Sequence, residues 1–588
     1  MPASLRQPAA WQLRELDARL VERLARDRGL PEIVSRLLVA RGFADPAAAD
    51  RHLRPSLMAL HDPRALPGMA AATRRLAHAV AEGETILVHG DYDVDGVTGT
   101  ALLVRLFQRL GAKVAWHIPN RFTDGYAFGA HSVAKAREVG ARVVVSVDNG
   151  TSSVETIDEL AAIGVDTVVT DHHEPPRGEL PRAVAIVNPK LEGSEYPFRE
   201  LCGGAVAFKL AWGVCQELGG GGRVDDGLRE FLLDAMSYVA IATVCDVVPL
   251  VDENRVLTRY GLQALEASAH PGLAALLRVA GISGRRLQGE DVGFQIGPRL
   301  NASGRLGTAE TAVALLMCDD TERAPALARQ LDELNLERKR IEAELLEEAL
   351  RAAERYEDAE RHPVLVLAGQ GWHAGVVGIV AARLVERFGR PAIVIGLDGE
   401  TGRGSARSLP GLSILELMHA GSGAMIGYGG HAAAAGLEVR ADAVDELREA
   451  INAAARERLA DGLPEQPLRI DGELPFEEMN PELMRHVDRL EPFGERNEAP
   501  VFLSRDLRLA QPPRVVGADR SHLILQLRRG EQVLKAMAFG MAARTDELAM
   551  GAPIDLVYSP RWNTFRGETN LELLAHDFRC EPGGAGAG

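Results

Sequence analysis

Acidic and histidine residues gather at four places in the first half of the chain. They are Asp91-Tyr92-Asp93-Val94-Asp95-Gly96, Asp148-Asn149-Gly150, Asp171-His172-His173, and Asp246 within Val244-Cys245-Asp246-Val247. Carboxylates brought together repel one another unless cations neutralise them. Oxygen-rich ligation completed by one or two imidazoles suits Mn²⁺ or Mg²⁺, whereas zinc prefers sulfur and nitrogen. Two such ions about 3.5–4 Å apart clamp a phosphodiester and lower the pKa of a bridging water. Each motif alone has a plainer reading. Asp91 can be a turn or helix cap, Asp148-Asn149-Gly150 is a good turn sequence, and a His-His pair can pack a loop. The chemical reading rests on all four falling at one edge.

The elements around them supply that edge. Apolar runs at 84–90, 112–119, 141–148, 165–171 and 183–189 alternate with amphipathic helical stretches. Such alternation predicts a parallel sheet covered on both faces. Three motifs directly follow strand-like runs, and Asp246 follows the apolar helix FLLDAMSYVAIATVC. Ligands in open parallel sheets sit at the carboxyl ends of the strands.

The remaining chain reads as an α/β multidomain protein. Residues 1–75 are expected to be helical, and 1–80 carry 13 Arg against 8 acids. Residues 76–319 form the parallel-sheet domain. Residues 320–358 are a polar helical stretch, long enough at about 1.5 Å per residue to connect two domains. A smaller α/β domain occupies 359–460. Short alternating strands then predict an antiparallel β domain, a barrel, over 461–580. The glycine-rich 581–588 is expected to be a disordered tail.

Composition bounds the partners. A 588-residue chain exceeds one ordinary core. Five scattered cysteines without a CxxC pair fit a reducing cytoplasm and argue against a cysteine-built zinc site. A transmembrane span and a secretory leader are both unexpected. The net charge of −17 argues against a protein that coats DNA non-specifically. The basic side chains are 60 Arg and 6 Lys. Arginine suits bidentate phosphate contacts, and a biased genome composition gives the same skew.

The four acidic motifs resemble those of the DHH phosphoesterases, a superfamily named for the triplet seen here as Asp171-His172-His173. Gly297-Pro-Arg-Leu-Asn-Ala-Ser-Gly-Arg-Leu-Gly307 and Leu201–Lys209 resemble segments of its RecJ-like exonuclease branch. Gly404–Ser408 and Gly429–Gly436 resemble the DHH-associated domain, and Leu490–Gly494 with Ala499–Phe502 resembles the entry to an OB-fold. Arg496-Asn497-Glu498 departs from the usual Gly-Asn-Pro-like stretch.

The resemblance implies a fold of a DHH domain, a connecting helix, a DHH-associated domain and an OB-fold. It implies Asp93, Asp95, Asp148, His172 and Asp246 as ligands of two Mn²⁺ or Mg²⁺ ions, with His173, Asp91 and Arg305 catalytic. Arg121, Tyr126, Arg299, Asn301, Ser303, Ser405, Arg407, Ser408, Gly430 and His431 are the implied substrate contacts. His89 lies where some superfamily members place another ligand. Trp562, Phe565 and Phe502 are candidates for base stacking, with a core role the plainer reading for each.

The implied activity is 5′-to-3′ exonucleolytic hydrolysis of single-stranded DNA to mononucleotides in repair and recombination. The strand is expected to thread between the two α/β domains. The implied setting is a cytoplasmic monomer meeting single-strand-binding protein and a helicase. The alternatives are an oligoribonuclease or cyclic-dinucleotide phosphodiesterase, which usually lacks the barrel, and a non-enzymatic scaffold, which loses acidic ligands.

Overall fold

The computed structural model describes residues 10–125, 128–221, 224–460, 462–464, 466–565 and 568–580. The chain packs as two compact units, neither continuous in sequence. One comprises 55–341 and 491–498, the other 1–54, 342–490 and 499–588.

The first unit is built on a five-stranded parallel sheet. Its order is Lys113–His117, Thr85–His89, Val143–Val147, Asp166–Thr170, Ala185–Val187. The Val143–Val147 strand is buried at every residue, as the valine run predicts for a centre strand covered on both faces. Helices Val94–Arg109, Gly203–Leu218 and Asp226–Cys245 pack on one another and supply a large share of its core.

Residues 491–498 complete this unit from far along the chain. The buried Arg255 donates to the Glu491 carbonyl at 2.9 Å, and Leu250 N–H donates to Glu495 O at 2.8 Å. Asn497 is fully buried and donates to Pro492 O at 2.8 Å. The atypical Arg496-Asn497-Glu498 stretch is therefore a turn pinned by its buried Asn497, with Arg496 and Glu498 exposed. Truncation near residue 460 would remove this strip from the sheet unit together with the barrel.

In the second unit a five-stranded mixed sheet runs Met425–Gly430, Ala434–Arg440, Thr401–Arg407, Ala392–Asp398, Leu365–Gln370. Only the last pair is parallel. Strands Phe502–Val516, His522–Arg529, Gln532–Ala538, Glu568–Cys580 and Ile554–Phe565 close into a five-stranded barrel, the last pairing back to the first. The N-terminal segment holds helices Ala18–Arg28, Glu32–Ala40 and Pro46–Leu53, as its periodicity predicts. It also holds a strand that periodicity does not predict: Trp11–Leu13 pairs in parallel with Leu468–Ile470.

The long polar helix runs Ala324–Ala353, shorter at both ends than the polar stretch. The division between the units falls within it, after Ile341. The 581–588 tail lies outside the described residues.

Candidate metal centre

Strand Thr85–His89 runs into a turn whose Asp93 caps helix Val94–Arg109, accepting from the Asp95 and Gly96 N–H groups at 3.0 and 3.2 Å. Asp95 thus stands in the first helical turn. Helix Gly203–Leu218 begins against it. The Gly203 and Gly204 N–H groups donate to Asp95 Oδ2 and Oδ1 at 2.6 and 2.7 Å. A Cβ on Gly203 would sit 2.6 Å from Asp148 Oδ1, so a larger side chain would fill the site.

Asp148 follows strand Val143–Val147 in the left-handed region, φ 65°, a conformation that Asp tolerates better than most residues. Its N–H donates to Thr170 O at 2.9 Å. Asp171 follows strand Asp166–Thr170 and works as an organiser. Its carboxylate accepts from the N–H groups of Thr151, His172 and His173 and from His173 Nδ1. Burial works against its charge, yet the His173 and Thr151 bonds hold its carboxyl well below the usual range.

The imidazole of His172 lies at the focus. Its Nε2 is 3.1 Å from Asp148 Oδ1 and 3.7 Å from both Asp95 Oδ2 and Asp246 Oδ2. Burial and the charge of His173 push it down to about 3, so it is neutral and able to ligate. Three overlapping ligand sets result, Asp91 with Asp93 and Asp148, Asp95 with His172 and Asp246, and Asp148 with His172 and His173, each with oxygen or nitrogen atoms within 4.8 Å of one another.

Two observations bear on whether cations fit. Asp91 Oδ1, Asp148 Oδ1 and Asp246 Oδ2 are buried yet accept no hydrogen bond. Without a cation the crowding also makes several of these carboxyls hold protons more tightly than usual. Burial, then neighbouring carboxylates, raises Asp95 to about 6 and Asp246 to about 9, and lifts Asp91 and Asp148 well above the ordinary value. Divalent ions supply what both observations lack.

The segment Gly297–Leu306 closes one side. A Cβ at Gly297 would meet Cys245 Sγ at 2.5 Å, and one at Gly304 would meet Tyr92 O at 2.7 Å. Glycine at both ends lets this helix touch the Asp91 and Asp246 motifs together. The turn before it is widened, with Gly297 N–H bonded to Val292 O, five residues back. Such widened turns are frequent at functional sites. Arg305 stands in its last turn, with Asn301 in the same helix. Arg121 lies over the Tyr92 ring at 4.2 Å, and its charge acts on Asp91.

Several of the expected residues are already engaged within their own unit. Arg299 pairs with Asp332 at 2.9 Å and donates to Gln295 O. Ser303 is buried, its hydroxyl donating to Leu300 O. In the second unit, Ser408 uses its hydroxyl on Leu412 O and its N–H on Ala433 O. All three make bonds within the fold. His89 lies with His117 and His131, not among the carboxylates. Phe502 is fully buried against Tyr558, and Trp562 donates to Asp488. Tyr126 and the Phe565 side chain lie outside what is described.

Other candidates keep a suitable setting. Arg407 donates to Ser405 Oγ and Ala406 O, both at 2.8 Å, and no carboxylate partner is seen for it among the described residues. Burial lowers its pKa. Gly430 has φ 145°, and His431 is exposed. Sequence reasoning missed Gly203 and Gly204 as the Asp95 clamp, Tyr92 as the seat of Arg121, and Phe539 on the barrel. Phe539 is 48% exposed, with His522 edge-on at 5.0 Å and Arg561 at 5.9 Å.

This combination defines the class. Residues 85–240 match the DHH family, N-terminal domain, 361–457 the DHHA1 domain and 470–577 the RecJ OB domain. The chain is 35% identical over 571 residues to the single-stranded-DNA-specific exonuclease RecJ of Bacillus subtilis, covering 96% of this chain and 70% of that one. It is 37% identical to the RecJ of Dickeya dadantii, covering 93% and 95%. A crystal structure of RecJ from Thermus thermophilus in complex with Mn²⁺ superposes with a TM-score of 0.81 at 30% identity, covering 97% and 79%. The corresponding Mg²⁺ complex gives 0.76 at 28%, covering 97% and 78%. The chain belongs to the RecJ family. No described helix is long and apolar enough to cross a membrane.

Proposed function

We propose that this chain is a metal-dependent exonuclease that hydrolyses single-stranded DNA from the 5′ end, releasing mononucleotides in DNA repair and recombination. The observation that carries the reading is the gathering of four separate motifs around His172, in a chain related over nearly its whole length to single-stranded-DNA-specific exonucleases. In this reading Asp91, Asp93 and Asp148 hold one Mn²⁺ or Mg²⁺ ion, and Asp95, His172 and Asp246 hold the other. Bound ions supply Lewis-acid stabilisation of phosphodiester charge and acidify water.

The protein's own residues do the rest. Gly203 and Gly204 fix the Asp95 carboxylate. Asp171 orients His173 through Nδ1 and raises its pKa against the opposing effect of burial. His173 would meet either a metal ion or the scissile phosphate. Within the first unit, Arg121, Arg305 and Asn301 are the candidate phosphate contacts; within the second, taken by itself, the candidates are Ser405, Arg407, Gly430 and His431. The setting is a cytoplasmic monomer supplied with strands by a helicase and single-strand-binding protein.

The deciding experiment compares linear single strands labelled at either end with a circular strand and a blunt duplex, in Mn²⁺. The 5′ label is released first as mononucleotide, the circle and duplex survive, and excess EDTA stops the reaction. Efficient cutting of the circle makes the protein an endonuclease and ends this reading.

Arg121→Ala tests the terminal anchor. A charge-assisted phosphate contact worth about 1.5–3 kcal/mol predicts loss of the preference for a 5′-phosphate over a 5′-hydroxyl by about 10- to 100-fold. An unchanged preference removes Arg121 from the anchor.

Phe539→Ala addresses the barrel. Stacking is worth about 1–3 kcal/mol per base, so affinity for long strands falls about 5- to 100-fold. Turnover of short oligonucleotides stays the same. Unaltered long-strand affinity places the binding face elsewhere on the barrel.

A further inference from the structure

We propose a second metal site, separate from the carboxylate centre, formed by His89, His117 and His131 and suited to zinc. His89 and His117 end adjacent parallel strands and are partners in register, so both side chains leave the same face of the sheet. His131 stands in the first turn of helix Ala130–Val139. The three ring centroids form a nearly equilateral triangle, 5.1, 5.2 and 5.6 Å on a side. One ring nitrogen from each lies within 4.8 Å of the others, and His117 Nε2 is already 3.0 Å from His131 Nδ1.

The donor chemistry selects the ion. The carboxylate centre is rich in oxygen, whereas this group offers three imidazoles and no carboxylate. Three histidines with one remaining position form a tetrahedral zinc set, and nitrogen donors favour Zn²⁺ over Mg²⁺ or Mn²⁺. The Ser132 hydroxyl, 2.9 Å from His89 Nε2, is near enough to serve as the fourth oxygen or to hold a water there. An ion at this point ties two strand ends to the start of a helix. Its role is therefore that of a staple across the segment bearing Arg121, not a reagent. The competing arrangement is a metal-free hydrogen-bonded chain through His117, His131, Ser132 and His89.

The test uses the full chain, held in excess Mg²⁺ to occupy the carboxylate centre, then loaded with zinc, freed of unbound ion and counted by mass spectrometry. The wild type retains about one zinc more than His117→Gln or His131→Gln. Asp148→Asn keeps that zinc, which separates the two sites. Zinc raises the melting temperature of the wild type and of Asp148→Asn, but not of either histidine variant, because a ligand bound only to the folded state stabilises it. Equal zinc in wild type and histidine variants overturns the proposal. A measurement on the wild type alone guards against misfolded variants. Cobalt bound at a four-coordinate nitrogen site absorbs strongly in the visible, and only the weak absorption of six-coordinate cobalt is equally fatal.

Discussion

Exchanging Asp148 for Asn should lower hydrolysis of single-stranded DNA by about a thousandfold or more, the scale of losing a principal electrostatic stabiliser. Asp148 is buried, its Oδ1 is 3.1 Å from His172 Nε2, and it completes the set with Asp91 and Asp93. Asn keeps the size, and it tolerates the left-handed backbone at φ 65°. Burial, then Asp95, Asp93, Asp246 and Asp91, raises the Asp148 pKa. A carboxyl raised in the folded state destabilises the fold wherever the unfolded chain would release that proton, including neutral pH. The metal-free variant should therefore melt at the same temperature as the metal-free wild type or above it. Near-normal hydrolysis in Mn²⁺ removes Asp148 from the centre. A lower melting temperature means the crowding argument is wrong.

Gly203→Ala should be the next most damaging substitution. The new methyl would lie 2.6 Å from Asp148 Cβ and Oδ1. Asp148 cannot easily retreat, because its N–H is fixed to Thr170 O and its backbone is in a narrow conformational region. Overpacking of this kind costs about 1–3 kcal/mol. Disturbing the residues that orient metal ligands costs about 10- to 100-fold in metal affinity or activity. We expect turnover to fall about 100-fold and the Mn²⁺ needed for half-maximal rate to rise about 10-fold or more. Gly213→Ala on the same helix is the control. Its methyl would press on the Thr73 and Met69 side chains at 2.9 and 3.0 Å, neither of them a site residue, so activity should stay near normal. Equal activity of the two variants shows that the helix start does not shape the site.

The parallel sheet and its acidic edge were legible because each motif is local. A valine-rich run, a turn and one or two polar residues lie within about ten positions, and the strand period marks their place. The clamp on Asp95 was not legible. Gly203 and Gly204 lie 108 and 109 residues from it, and nothing in a glycine pair says which carboxylate it will meet. The histidine trio was hidden similarly: His117 and His131 join His89 only through strand register and a helix start. On the barrel, strand Phe502–Val516 escaped a periodic reading because its register shifts twice around Gln511, beside Pro512 and Pro513. Arg299 and Ser303 share a motif with Arg305, yet motif membership says nothing about which way a helical residue faces.

The discontinuity of both units sets the order of events on the ribosome. Trp11 donates to Asp577, 566 residues later, and Arg255 waits for Pro492, 237 residues later. At about 5–20 residues per second, the waits last from about ten seconds to about two minutes. The nascent sheet unit thus emerges complete except for the strip that receives Arg255. The N-terminal strand leaves the exit tunnel long before its partner at Leu468–Ile470 exists. Unpaired strand edges and uncovered apolar surface are what holdase chaperones bind. Yield of active protein should therefore depend on translation speed and chaperone supply more steeply than for a chain whose domains finish one after another.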